Sequence, residues 1–207
     1  MDQLMAEKLL IRETLDNWIL WRDAGDWERF KTVWHPEGWM NATWFQGPAE
    51  KFIEVSREGF NKGVNILHFY GGFTCDIAAN RAIAQTKMTI SQRATVDEVL
   101  VDVVCTGRMY DFLEKYNARW LVRRRQPIYE KDRMDPVDAV LLTLQLDQEL
   151  LGQFPEGYRH LAYLQSKIGF PVKKGLPGLK GSSVEKLYAE GKAWLAGSDK
   201  PGDPVWP

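Results

Sequence analysis

The chain has 207 residues, 44% hydrophobic and 27% charged, a composition ordinary for a globular protein large enough to bury a core without staples. A formal net charge of −1 excludes a global electrostatic pull toward nucleic acid or an anionic membrane. Cys75 and Cys105 stand in apolar surroundings without a CxxC or Cys/His cluster, which speaks against a zinc site and for two buried thiols in a reducing cytoplasm.

The opening segment is charged throughout and lacks the apolar stretch of a secretory signal, so cytoplasmic localisation is expected. Residues 3–23 carry Leu4, Leu9, Ile11, Leu15, Trp18 and Ile19 mostly three or four apart, the stripe of an amphipathic helix. Gly25 is placed to end it with a positive φ. Asp26 is placed to cap a second, short helix from Trp27 to Trp34, stopped by Pro36 and Gly38. A strand pair over Trp39–Phe45 follows. Gly47-Pro48 then opens a third helix, Ala49 to Asn61, with Phe52, Ile53 and Phe60 toward the core.

Beyond Asn65 come four long runs rich in Val, Ile, Thr, Tyr and Phe: Ile66–Ile77, Arg81–Thr95, Val99–Leu113 and Arg119–Tyr129. The short breaks between them predict antiparallel neighbours. Helices first and a curled antiparallel meander after is an α+β pattern, with a natural cavity between the three helices and the bent sheet. Asp135-Pro136 marks a boundary between a domain of residues 1–134 and a helical extension, 135–207. Helical periods recur in Val137–Leu151 and Val184–Leu195, separated by an irregular stretch. Within that stretch Tyr158, Leu161, Tyr163, Leu164 and Ile168 are apolar enough to demand burial, as a cap on the cavity or a clasp on a neighbouring subunit.

Nine Trp residues are many for this length, and Trp18, Trp21, Trp27, Trp34 and Trp39 fall in the first forty, followed by Trp44. They read either as core packing or as the wall of a pocket for a flat apolar ligand. The chain has three histidines. His35 precedes Pro36 where a C-terminal cap would sit, and His160 has no evident functional context. His68 lies inside a strand among apolar residues, which suits either a satisfied core histidine or a general base. Arg108 sits mid-strand on the same side as Val104 and Tyr110 by two-residue alternation. It is either an outward structural ion pair or a group for a developing oxyanion. Of Arg123, Arg124 and Arg125, Arg124 shares parity with Trp120 and Val122 and is expected to point inward.

Several segments resemble a known family. The run from Trp18 through Arg22-Asp23-Ala24-Gly25-Asp26-Trp27 resembles the first-helix exit of scytalone dehydratase. Leu67-His68-Phe69-Tyr70-Gly71-Gly72 resembles that family's histidine-bearing strand. Ser91-Gln92-Arg93 falls where the family has His-Gln-Arg. Thr106-Gly107-Arg108-Met109-Tyr110-Asp111, then Trp120 and Arg123–Arg125, resembles the later strands of SnoaL-like proteins. The resemblance spans residues 5 to about 132. It implies the cone-shaped α+β fold of the nuclear transport factor 2 superfamily.

It also implies an acid–base pair of Asp23 and His68. Asp23 would orient His68 and stabilise its imidazolium, while the other ring nitrogen faces the substrate. Two departures stand out: Arg22 where the family has Tyr, and Ser91 where it has a second histidine. The expected activity is a cofactor-independent lyase, of dehydratase, elimination or C–C cleavage type, acting on a small aromatic or polycyclic substrate. His68, Asp23 and Arg108 are its expected catalytic residues. Trp18, Trp21, Trp44, Tyr70, Ser91, Tyr110, Phe112 and Arg124 are expected to bind substrate. No cofactor, metal, nucleic acid or membrane is expected, and a homotrimer or homodimer is implied. Alternatives are an isomerase or cyclase of polyketide- or steroid-like substrates, a non-catalytic ligand-binding module, and the small subunit of a ring-hydroxylating oxygenase.

Overall fold

A computed structural model describes residues 2–138 and 144–201. Helix α1, Gln3–Asp23, buries Ile11, Leu15, Trp18 and Ile19. Leu4 and Leu9, expected on the same stripe, are exposed. Gly25 ends the helix at φ +71°, with the Asp26 N–H donating to the Trp21 carbonyl. The Asp26 carboxylate then accepts from Arg29 N–H and caps α2, Trp27–Lys31.

Helix α2 is shorter than its sequence pattern predicts. Trp34 opens strand β1, Trp34–Asn41, which runs through Pro36 and Gly38. That strand pairs in parallel with β6, Arg119–Pro136, and its register slips between Trp34 and Trp39. Pro36 falls in that gap, where its missing N–H costs no ladder bond. His35 consequently lies in a strand rather than at a helix end. Strand β2, Gln46–Pro48, returns antiparallel to β1. Helix α3, Ala49–Asn61, buries Phe52 and Ile53. Phe60 is largely exposed, yet its ring stands edge-on to Trp27 at 5.7 Å.

Strands β3, Asn65–Ala78, β4, Arg81–Val96, and β5, Val99–Tyr116, complete a six-stranded curved, unclosed sheet ordered β2-β1-β6-β5-β4-β3. Two of the connecting turns, Asp97-Glu98 and Asn117-Ala118, hold both central residues at positive φ, as tight hairpins between twisted strands require. Every pair except β1–β6 is antiparallel. Opposite the bulge at Glu130, Gly107 lies so close to β6 that a Cβ there would sit 2.0 Å from the Ile128 carbonyl oxygen. Gly107→Ala is therefore expected to cost roughly 1–3 kcal/mol or more. A urea titration reads this, and an unchanged midpoint would contradict the close approach.

The C-terminal segment covers both sheet faces. Helix α4 spans only Gln148–Gly152. Of the helix expected over 137–151, residues 144–147 are not helical, residues 137–138 form a bend, and 139–143 lie outside the described residues. A 3-10 turn, Glu156–Tyr158, leads into α5, Arg159–Lys167, within the stretch expected to be irregular. Tyr158, Leu161, Tyr163 and Leu164 are all buried in the core shared by α1, α3 and the inner sheet face. Ile168 packs against it partly buried. Helix α6, Ser182–Leu195, lies on the opposite, outer face. There Val184, Leu187 and Trp194 form a second cluster with Ile83, Tyr110, Phe112 and Ile128. Among the described residues no helix is long and apolar enough to cross a membrane.

Candidate active site

Most of the early tryptophans turn out to be core. Trp18 stands edge-on to Phe30 at 5.2 Å and to Trp34 at 6.1 Å, and stacks on Phe52 at 6.2 Å. Trp27 joins Phe30 and Phe60. Of this aromatic cluster Trp18, Trp44 and Phe52 line one cavity. The cavity lies between α1, α3, α5 and the inner face, and Arg22, Phe52, Ile66, His68, Gln92 and Gln165 contribute to its wall.

Asp23 and His68 meet there as the motifs imply. Asp23 is the last residue of α1, and His68 points to the inner face from β3. The His68 Nδ1 stands 2.8 Å from Asp23 Oδ1, while the His68 backbone N–H donates to Asp23 Oδ2 at 2.6 Å. Both carboxylate oxygens are thus used, and ring and backbone are held together. A carboxylate accepts at Nδ1, which assigns the proton to that nitrogen and leaves Nε2 as the acceptor on the cavity side. Trp18 braces the ring edge-on at 5.6 Å.

Burial pulls the His68 pKa below its usual value. Asp23 opposes this, and the charges of Arg22 and Arg125 add to it. Burial alone would raise Asp23, but the His68 bond, the neighbouring positive charge and the backbone N–H outweigh it and leave the carboxyl lowered. The resting pair is an ionised aspartate beside a neutral imidazole, the state a general base needs.

His35 is lowered as well, by burial first and then by Arg123. A histidine depressed in the folded state binds fewer protons there than in the unfolded chain once pH falls below the unfolded value, 6.5. Stability is then full above 6.5 and declines as pH drops toward the depressed folded pKa values. The melting temperature is expected to fall between pH 7 and pH 5, with a shallower slope in His35→Gln. A temperature independent of pH across that range would contradict both depressions.

His160 shows that the pairing alone does not make a site. Its Nδ1 lies 2.8 Å from Asp132 Oδ1, and Asp132 Oδ2 accepts from the backbone N–H of His160 and of Leu161. That carboxylate ties down the start of α5, and the His160 side chain is 22% exposed. What distinguishes His68 is enclosure beside a void.

Of the other expected site residues, Trp18 and Trp44 line the cavity. Tyr70 is buried behind it, its ring 5.6 Å from the Arg125 guanidinium. Trp21 instead sits on a surface groove with Leu10, Thr14 and Trp120, under Arg29. Ser91 pairs with Leu67 and Val104, on the outer face. Its neighbour Gln92 is the residue that turns in.

Arg108, Tyr110, Phe112 and Arg124 also lie on the outer face. Arg108 bonds Glu130, Gln85 and the Tyr188 hydroxyl of α6. Tyr110 packs on Tyr188 and Phe112 on Trp194. Arg124 bonds Glu190 and the Pro201 carbonyl. Alternation grouped Arg108 with Tyr110 correctly, but α6 occupies the side expected to be a pocket. The inward arginine is Arg125, paired with Asp111 at 2.6 Å with both side chains fully buried.

The cavity also holds residues no motif indicated. Arg22 is 7% exposed, with Nη1 donating to Asp23 Oδ1 at 3.1 Å and to the Ile66 carbonyl at 3.3 Å. Gln165 of α5 accepts from Thr43 at 2.5 Å and donates to Gln92 at 3.2 Å, a polar clasp between three residues of the cavity wall. Their signal in the sequence is slight. For Arg22 it is the departure from the family's Tyr, and for Gln165 a lone amide in an apolar helix. The free volume beside His68 is about 30 Å³, and an adjoining void behind Arg22, Trp44, Ile66, Gln92 and Gln165 adds about 20 Å³.

Residues 3–126 match the family model described as SnoaL-like domain. A PEP2-like protein of Fusarium vanettenii is 36% identical over 207 aligned residues, covering 95% of this chain and 88% of that protein. Pea pathogenicity protein 2 of the same organism is 35% identical with the same coverage. Among solved structures, a type 2 hexachlorocyclohexane dehydrochlorinase superposes with a TM-score of 0.54 at 7% identity, over 68% of this chain and 95% of that one. A candidate scytalone dehydratase from Novosphingobium aromaticivorans gives 0.54 at 14% identity, over 70% and 93%. At these identities the structural likeness establishes the fold.

Proposed function

The chain belongs to the SnoaL-like domain family, and from that membership and its enclosed acid–base pair we propose that it is a cofactor-independent lyase. Its reaction begins with removal of a proton next to an electron-withdrawing group. The observation that carries this reading is the two-point clamp of Asp23 on His68, which leaves one neutral ring nitrogen beside a void. A binding wall needs no such clamp, since a carboxylate that fixes the tautomer matters when the ring must gain and lose a proton. The names of two fold neighbours, a dehydrochlorinase and a candidate dehydratase, are compatible with elimination.

The free volume beside His68, about 30 Å³, leaves room for water-sized guests only. Turnover of anything larger, including the aromatic substrate expected from the tryptophans, needs the Gln165 clasp to open and α5 to withdraw. The test is to incubate the protein in D₂O with a panel of β-hydroxy and β-halo ketones and follow mass. Loss of water or hydrogen halide marks elimination, and deuterium gain without loss marks isomerisation by the same base. A panel that shows neither, at rates above the uncatalysed ones, removes the enzymatic reading.

A further inference from the structure

The walls of the cavity contain two buried donors that no protein atom among the described residues satisfies: Trp18 Nε1 and Arg22 Nε. The two residues stand four apart on α1, so they project from the same face of the helix. Both line the void that His68 lines. A buried N–H without a partner carries a desolvation cost that folding does not recover. Two of them on residues that wall the same space as a base form an arrangement prepared for an acceptor that arrives with the ligand.

Electrostatics strengthen both donors. Arg22 is a guanidinium, and its Nη1 is already held by Asp23 and Ile66. The Arg125 guanidinium lies 4.1 Å from the centroid of the Trp18 ring. A cation over an indole face draws electron density from the ring and makes its N–H a better donor. Neither arginine is exposed.

We propose that Trp18 Nε1 and the Arg22 Nε edge form an oxyanion hole, and that the substrate is an uncharged carbonyl compound. This rests on the acid–base reading of Asp23 and His68 given above. The step is balanced within the site. His68 Nε2 takes the proton on the carbon next to the carbonyl, and the C–H electron pair becomes the C=C bond of the enolate. The carbonyl π pair moves onto oxygen, where Trp18 and Arg22 hold it.

Charge accounting selects the substrate class. At rest the enclosed groups are Asp23 and Arg22, opposite in sign, with a neutral His68 and the Asp111–Arg125 ion pair behind. The enolate and the imidazolium form together, so an uncharged substrate keeps the cavity neutral at every stage. A carboxylate substrate would place an unpaired negative charge in a closed apolar space.

The probe is 4-nitrophenol, whose oxygen on a flat ring imitates an enolate and whose absorption distinguishes phenolate from phenol. It is titrated below its own pKa into the native protein, Arg22→Gln, Arg22→Lys, Trp18→Phe and His68→Gln, with near-ultraviolet circular dichroism to confirm folding. The native protein is expected to bind the phenolate. Trp18→Phe keeps the ring and removes the N–H, and Arg22→Gln removes the charge. Each is expected to weaken phenolate binding by about tenfold or more, with Arg22→Lys between. Should Arg22→Gln fail to fold, Trp18→Phe and Arg22→Lys still decide the matter.

Binding of the neutral phenol only by the native protein, no binding at all, or undiminished phenolate binding by Trp18→Phe and the folded Arg22 variant would each overturn the proposal. His68→Gln separates the two readings. It is expected to lose proton exchange on a ketone and, with no base to take the proton, to bind the phenol un-ionised, in a complex that Trp18→Phe still weakens. Exchange that survives in His68→Gln tells against the base and leaves the oxyanion hole standing.

Discussion

Replacing His68 by glutamine lowers the rate of proton abstraction from a turned-over ketone by roughly 10²–10⁴-fold, the usual worth of a positioned acid–base group. The amide fills much the same space, so the loss is expected in kcat with KM little changed, the pattern of an interaction made only in the transition state. Asp23→Asn is expected to cost a comparable factor by another route. Its amide can still occupy the space beside Nδ1 and the His68 backbone N–H, but it lacks the charge that stabilises the imidazolium. The pH profile adds a test that mere structural damage would not pass. The base must be neutral, and burial holds His68 below its ordinary 6.5. The acid limb of kcat/KM therefore falls below pH 6.5, with activity rising as pH increases through it. Full activity in His68→Gln, or an acid limb above 6.5, would contradict the mechanism.

How much of this could be read from the chain depends on which forces act locally. Asp23 and His68 were legible because each sits in a motif and the fold brings a helix end to the first long strand. The turns were legible because short polar breaks between long apolar runs leave the chain few alternatives. The face of the sheet was not. Residue alternation placed Arg108 and Tyr110 on one side, and both lie on the face that α6 covers. Alternation fixes relative sides only, however, and both sides of this sheet are apolar because α6 buries the outer one. With no contrast between a wet and a dry face, a pocket and a helix-covered core read alike. A bulge between Phe112 and Leu113 in the β5–β6 register further shifts β6, so that parity counted from Trp120 and Val122 misassigns Arg124. Helix α5 was hidden for another reason. Its nine residues, Arg159–Lys167, lie between proline- and glycine-rich segments, and its stability comes from packing into the core and the cavity wall rather than from intrinsic propensity.

At Arg125 tertiary structure imposes a large stability demand. Its side chain and that of Asp111 are both fully buried, joined by bonds of 2.6 and 3.0 Å. Burial raises the Asp111 carboxyl, and only Arg125 counters it. Arg125→Met is therefore expected to destabilise the fold by about 3–5 kcal/mol, because it strands a carboxylate in the core. Replacing both partners, Arg125→Met with Asp111→Leu, should recover most of that loss, since an apolar pair avoids the desolvation cost altogether. Urea titrations of the two single variants and the double variant measure the coupling. A single variant no weaker than the double would mean the pair contributes nothing specific. The same variants separate stability from chemistry. Arg125 stands over Trp18, so the double variant should regain its fold without regaining full phenolate affinity. Recovery of both would confine Arg125 to the core and leave the Trp18 N–H acting without its help.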